Sequence, residues 1–276
     1  MTMDLNLSSG LNSNPPLLRD YAQLVCDQYT SFVDDNIHQC DEKTTTTMMM
    51  EYELPVIDLS VLRDDEASDE SKLECMAKIA KASSEWGFFQ VVNHGVSLKL
   101  LSRMREEQLK LFQAPFEKKA LCGLMNNSYR WGNPTATCPN QFSWNEAFHI
   151  PLTKISEETS FGEFTSLREV MVEYAAAMQE VAKLLAVVLV MNLGHPEDTL
   201  EEMCGENTCF LRLNRYPACP ISQEIFGLVP HTDSDFLTIL HQDEVGGLQL
   251  MKDSKWISVK PNQNALIVNI GDLFQV

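Results

Sequence analysis

The chain has 276 residues, 44% hydrophobic and 22% charged, a globular composition long enough for one large core or two modest lobes. Lys and Arg total 21 against 39 Asp and Glu, and the resulting charge of -18 excludes a cationic surface that would neutralise phosphates. Neither nucleic acid nor an anionic membrane is expected as a partner.

The eight cysteines are scattered, with no C-x-x-C pair, and read as reduced thiols. No apolar run reaches the roughly 18 residues of a membrane span, and the most apolar stretch, Leu184 to Leu193, has Lys183 just before it. The start, Met-Thr-Met-Asp-Leu-Asn, lacks the basic and apolar regions of a secretory signal, so a cytoplasmic protein is expected.

In chain order, residues 1–53 hold nine acidic residues against Arg19 and Lys43 and include the low-complexity run Thr44 to Met50. They read as a mostly disordered acidic tail in which Leu17 to Phe32 is the one candidate amphipathic helix. Leu54-Pro-Val-Ile-Asp-Leu59 suits a strand and opens a lobe expected over 54–155. Ser71-Lys-Leu-Glu74 fits a capping box for a helix with Leu73, Met76, Ala77 and Ala80 on one face and Gly87 as its stop. Phe88 to Val92 is strand-like, Asn93-His-Gly95 is a turn, and Ser97 opens a helix towards Phe112.

A long helix is predicted from about Thr165 to Asn192, within a connecting region 156–205, from the helical spacing of Leu167, Val170, Tyr174, Met178, Val181, Leu185 and Val188. From residue 206 on, the period changes to that of short strands: Phe210–Asn214, Phe236–Leu240, Gly247–Leu250, Lys255–Val259 and Ala265–Ile270, separated by Gly, Pro and Asp turns. A sandwich or barrel is indicated for 206–276.

His231-Thr-Asp233 carries the chemistry. In a strand, residues i and i+2 share a face, so an imidazole nitrogen and a carboxylate oxygen would aim at one point, as two corners of a divalent-metal site. Alone, the triplet also suits a solvated loop His.

Asn214-Arg-Tyr-Pro217, the His-Thr-Asp triplet, the Phe-Leu-Thr-Ile-Leu strand and Gly246-Gly-Leu-Gln-Leu250 together resemble the plant 2-oxoglutarate/Fe(II) dioxygenases, as do Leu54-Pro-Val-Ile-Asp58 and Gly87 to Gly95. The resemblance implies an α+β architecture: an N-terminal mixed α/β lobe and a long helix packed on an incomplete double-stranded β-helix, or jelly roll. It implies Fe(II) held by His231 and Asp233, and 2-oxoglutarate contacted by Tyr216 and Asn214, with ascorbate as an accessory reductant. Asn214 also suits a plain strand-end turn.

Tyr129-Arg-Trp-Gly132 and Phe142 to Pro151 resemble the gibberellin 2-oxidases that act on C20 gibberellins, with Arg130, Trp131, Phe142 and Trp144 as candidate substrate residues. The same aromatics also suit simple packing between lobes. A flavonoid oxidase is the alternative within the family. His94, His38 and His195 read as structural, and His241 as a core or cavity residue.

In the family a second ligand His follows the pair by roughly fifty to sixty residues, and about ten further on comes an Arg that pairs with 2-oxoglutarate. Both positions fall beyond Val276, and the resemblance breaks at that residue. The expectation is a C-terminally truncated chain, inactive or non-catalytic, whose longer form is a monomer using a gibberellin and O2. Ala265–Ile270 is then expected to lack a neighbour on at least one side and to drive aggregation.

Overall fold

The computed structural model describes residues 51–274 apart from 121, 123–127, 134–135, 137–140, 156–160, 197–208 and 220–224. The expected tail up to residue 50, with its candidate helix and His38, lies outside the described residues. Strands are β1 (Glu51–Tyr52), β2 (Val56–Asp58), β3 (Phe88–Val92), β4 (Tyr129–Trp131), β5 (Glu146–Pro151), β6 (Phe210–Arg215), β7 (Leu237–Leu240), β8 (Gln249–Lys252), β9 (Lys255–Val259) and β10 (Leu266–Ile270). Helices are α1 (Ser60–Arg63), α2 (Asp69–Trp86), α3 (Leu98–Gln113), α4 (Phe116–Ala120), α5 (Leu152–Ile155) and α6 (Thr165–Asn192).

The chain forms two compact units, and neither is a continuous stretch. The first includes described residues from 103–172 and 209–230; the second includes those from 51–102, 173–196 and 231–274. A division at residues 155 and 205 cuts across both.

The second unit carries two sheets, ordered β1-β9-β8 and β2-β3-β10-β7. Pairing begins at Glu51, ahead of the expected start at Leu54, because β1 lies parallel to β9 with Tyr52 opposite Val259. Strand β10 has a neighbour on each side: Val268 stands opposite Phe89 of β3 and opposite Ile239 of β7. This corrects the expectation that the strand would lack a neighbour on at least one side, since β3, distant in the chain, pairs with one edge and β7 with the other. Leu54, Leu250, Ile257, Val259 and Ile267 form one core cluster here, with Trp86, Phe88, Leu240 and Leu248 packed against it.

Helix α2 starts three residues before the expected capping box. Ser68 is the N-cap, its hydroxyl accepting from the Ser71 N–H at 3.3 Å, and Asp69 and Glu70 in the first turn suit the positive end of the helix. The buried face is Cys75, Ile79 and Ala82, whereas Leu73 is 64% exposed. At the other end Gly87 takes φ +68°, a left-handed stop that favours glycine, and donates to Ser83 O at 3.0 Å.

Helix α6 runs over the expected residues and buries Leu167, Val170, Met171, Tyr174, Val181, Leu185 and Val188 to Val190. It is long and apolar enough by composition to cross a membrane, with a window of mean hydropathy 1.6, although, as expected, no uninterrupted apolar run in it reaches 18 residues. Glu180 and Lys183 interrupt that stretch, so it forms no continuous apolar run. The buried residues give the helix a core role: within the second unit Ala186 and Val190 pack with Phe236 and Phe274.

The first unit is built on the antiparallel sheet β4-β5-β6, where Glu146 lies opposite both Trp131 and Arg215. Phe148 of β5 packs edge-on to Tyr129 at 5.1 Å and against Phe112 at 5.7 Å.

Candidate metal centre

His231-Thr-Asp233 is not in a strand; it lies on the irregular segment before β7. Strand alternation therefore does not align the two side chains, yet they do meet: His231 Nε2 stands 3.4 Å from Asp233 Oδ1. What aligns them is the backbone at the end of β10. The Gly271 N–H donates to Phe236 O at 3.1 Å, and the Asp272 N–H donates to Asp233 O at 2.8 Å. The Thr232 hydroxyl donates to Asp272 Oδ2 at 2.8 Å. Gly271 is needed for this approach, because a Cβ there would fall 1.8 Å from Asp235 O.

The other oxygen of Asp233 faces inward. Asp233 Oδ2 accepts from Thr238 Oγ1 at 2.6 Å and from Asn269 Nδ2 at 2.8 Å. The hydrogen bond with His231 holds the Asp233 carboxyl well below the usual carboxylate range; burial opposes this shift, and the Thr238 and Asn269 bonds add to it. The outcome is an ionised carboxylate beside an imidazole, half open to solvent on the His side, where the side chain is 49% exposed.

Two ligands in neighbouring positions, each about 2.1 Å from one ion, stand about 3 Å apart. The 3.4 Å spacing of Nε2 and Oδ1 is close to that bite, and the nitrogen-plus-oxygen pair suits a divalent transition metal. Among the described residues no third His, Cys, Asp or Glu joins the pair.

The remaining sequence candidates belong to the first unit. Asn214 lies on β6, where its carbonyl accepts from Gln108 Nε2 at 3.0 Å and its Oδ1 from Arg212 Nε at 2.9 Å. Tyr216, just past β6, is 53% exposed, with its ring over Gly227. Trp131, Phe142 and Trp144 are brought together: they form one buried cluster, the two indoles edge-on at 5.5 Å, and the Trp144 Nε1–H donates to Ala218 O. Arg130 is exposed and donates to Tyr129 O at 2.7 Å.

Sequence reasoning missed the Thr238–Asn269 pair and a buried ionic cluster in the first unit. In that cluster Glu146 meets Lys119 at 2.5 Å, Arg215 at 3.6 Å and the Tyr129 hydroxyl at 3.0 Å. Asn269 had one signal, a lone amide within Leu-Ile-Val-Asn-Ile; Lys119, on an ordinary Lys-Lys helix, had none.

Residues 207–276 match the 2OG-Fe(II) oxygenase superfamily, and residues 54–165 match the family of the N-terminal region of the non-haem dioxygenase in morphine synthesis. The chain is 49% identical over 263 residues to gibberellin 2-beta-dioxygenase 8 of Arabidopsis thaliana, spanning 95% of this chain and 76% of that protein. The chain belongs to the 2OG-Fe(II) oxygenase superfamily.

To gibberellin 2-beta-dioxygenase 6 of Oryza sativa subsp. japonica this oxygenase is 53% identical over 235 residues, which is 82% of this chain and 65% of that one. A crystal structure of JOX2 in complex with 2OG, Fe and JA superposes with a TM-score of 0.68 at 32% identity, covering 90% of this chain and 73% of that chain. The fold is thus the expected α+β one with a jelly roll, and the family is one of oxidoreductases that use Fe(II) and 2-oxoglutarate. His231 and Asp233 fit such an ion in donor type and spacing.

Proposed function

We propose that the chain is the scaffold of a gibberellin 2-oxidase: an oxygenase that hydroxylates C2 of a gibberellin, with a preference for C20 forms. The observation that supports this is the identity gradient. It stands at 49–53% to two gibberellin 2-beta-dioxygenases and at 32% to an oxygenase of the same fold solved with JA. O2 is the oxidant in such chemistry: with Fe(II) bound, 2-oxoglutarate would supply two electrons and leave as succinate, which takes one oxygen atom of O2, and CO2, while the substrate C–H would supply the other two and take the second oxygen atom as its hydroxyl.

The residues of this chain bind and orient. His231 Nε2 and Asp233 Oδ1 hold the ion, and the Gly271–Asp272 backbone fixes the segment that carries them. On the sequence resemblance, the Tyr216 hydroxyl and Asn214 contact 2-oxoglutarate, and ascorbate keeps the metal reduced. Arg130, Trp131, Phe142 and Trp144 are proposed to shape the substrate pocket. Burial of the three aromatics favours a supporting role for them over direct contact. The working form is read as a cytoplasmic monomer, and the charge of -18 argues against nucleic acid or an anionic membrane as a partner.

With two protein donors among the described residues, the 276-residue chain is proposed to hold Fe(II) weakly and to turn over little 2-oxoglutarate. Incubation with C19 and C20 gibberellins, Fe(II) and 2-oxoglutarate tests both statements, with Arabidopsis gibberellin 2-beta-dioxygenase 8 as the positive control. Succinate near the level of a His231→Ala variant is expected, and any product formed should be hydroxylated at C2. Turnover of a flavanone with none of gibberellin would overturn the substrate reading.

A further inference from the structure

A carboxylate oxygen offers two in-plane lone-pair sites, and both sites of Asp233 Oδ2 are taken. Thr238 Oγ1 donates at 2.6 Å and Asn269 Nδ2 at 2.8 Å. The two donors come from paired strands, with Thr238 of β7 directly opposite Asn269 of β10, so one sheet face presents both to the same oxygen. Asn269 is 8% exposed in a strand otherwise made of Leu, Ile and Val. An amide buried there is costly unless bonded, and the bond it makes is to Asp233. The opposite oxygen, Oδ1, faces His231.

We infer that Thr238 and Asn269 are positioning residues that lock Asp233 into binding metal through Oδ1 alone. The inference rests on the reading of His231 and Asp233 as a metal pair. A carboxylate held by one oxygen occupies one coordination position of the ion where a chelating carboxylate occupies two. The clamp therefore conserves a position for exogenous ligands, and it does so with neutral donors that leave the charge of the site unchanged.

The test uses the 276-residue chain with Co(II) as an air-stable probe. Affinity is read by titration, and carboxylate binding by the metal-induced infrared difference spectrum of protein labelled with 13C at the aspartate carboxyls. One-oxygen binding gives a wider separation of the antisymmetric and symmetric stretches than chelation. Thr238→Val and Asn269→Ala are each expected to weaken Co(II) binding on the order of tenfold and to narrow that separation, while Thr238→Ser keeps both near wild type. A general loss of packing would lower stability without changing the stretches.

If both variants match wild type in affinity and stretch separation, the clamp is overturned while the metal pair stands. If Asp233→Asn binds Co(II) as wild type does, the metal pair fails and the clamp fails with it. Should Asn269→Ala not fold, the contrast between Thr238→Val and Thr238→Ser decides.

Discussion

At Gly271 a hydrogen fits and a methyl does not. The Cβ of an alanine would meet Asp235 O at 1.8 Å and Asp233 O at 3.1 Å, both backbone atoms that move only if the segment carrying His231 and Asp233 moves. Gly271→Ala is expected to cost about 1–3 kcal/mol in urea denaturation and to weaken Co(II) binding at the same time. A stability loss with unchanged metal affinity would disconnect the glycine from the site. His94 supplies a pH response. Burial, and next the nearby His241 and then Arg63, hold its imidazole below the ordinary 6.5, against a hydrogen bond to the Asn264 backbone that raises it. Nδ1 accepts from the Val96 N–H at 3.1 Å, so the folded state keeps that nitrogen unprotonated. Because the folded pKa lies below the unfolded one, the unfolded chain takes up the proton first. Stability is full above about pH 6.5 and falls as pH drops through that value towards the folded pKa. Between pH 7.5 and 5.5 the melting temperature should fall more for wild type than for His94→Asn, whose Oδ1 accepts without titrating. At this scale the meeting of His231 and Asp233 was legible in the sequence, because their residue types drew attention to the pair, although not on the strand expected to carry them. The sequence hid Thr238 and Asn269, because the atoms that give them a role lie five and thirty-six positions away.

Among the elements, β10 departs furthest from expectation. Hydrophobic pattern placed its residues correctly, but pattern says nothing about which strands lie alongside, and its partner β3 is distant in the chain. With neighbours on both sides and Leu266 to Val268 buried, its amides should exchange with D2O among the slowest in the second unit, well behind those on the outer edges of β2 and β7. Rapid exchange along β10 would mean that the four-stranded sheet does not persist in solution. Helix α6 and strand β3 were legible because each carries its period without interruption. The start of α2 was not, since Ser68 and Ser71 both suit a cap and only the Ser68 hydroxyl receives the backbone N–H. A cap shifted by three residues went with a buried face of Cys75, Ile79 and Ala82 in place of the one expected.

For the molecule as a whole the net charge of -18 sets the response to salt. Repulsion among like charges opposes compaction, and the screening length drops from about 30 Å at 0.01 M to about 8 Å at 0.15 M. The melting temperature should therefore rise over that range; a fall would show that attractive ion pairs outweigh the net repulsion. The exposed pairs, such as Glu74–Lys78 at 2.8 Å, are of the kind worth about 0–1 kcal/mol each and are not expected to reverse the sign. Composition made this behaviour legible. It left the two compact units hidden, since each gathers stretches of chain that no linker or shift in composition separates.

The pairing of β3 with β10 also has a meaning during biosynthesis. Residues 88–92 leave the ribosome long before residues 266–270, and at about 5–20 residues per second the delay is roughly 9–35 s. Throughout that interval Phe89 and Val91, wholly buried in the finished sheet, have only β2 beside them. The nascent chain must therefore carry an incomplete sheet edge for many times longer than a hairpin takes to form. Closure of this sheet is obliged to wait for the synthesis of β10, with chaperones as the natural guardians of the wait.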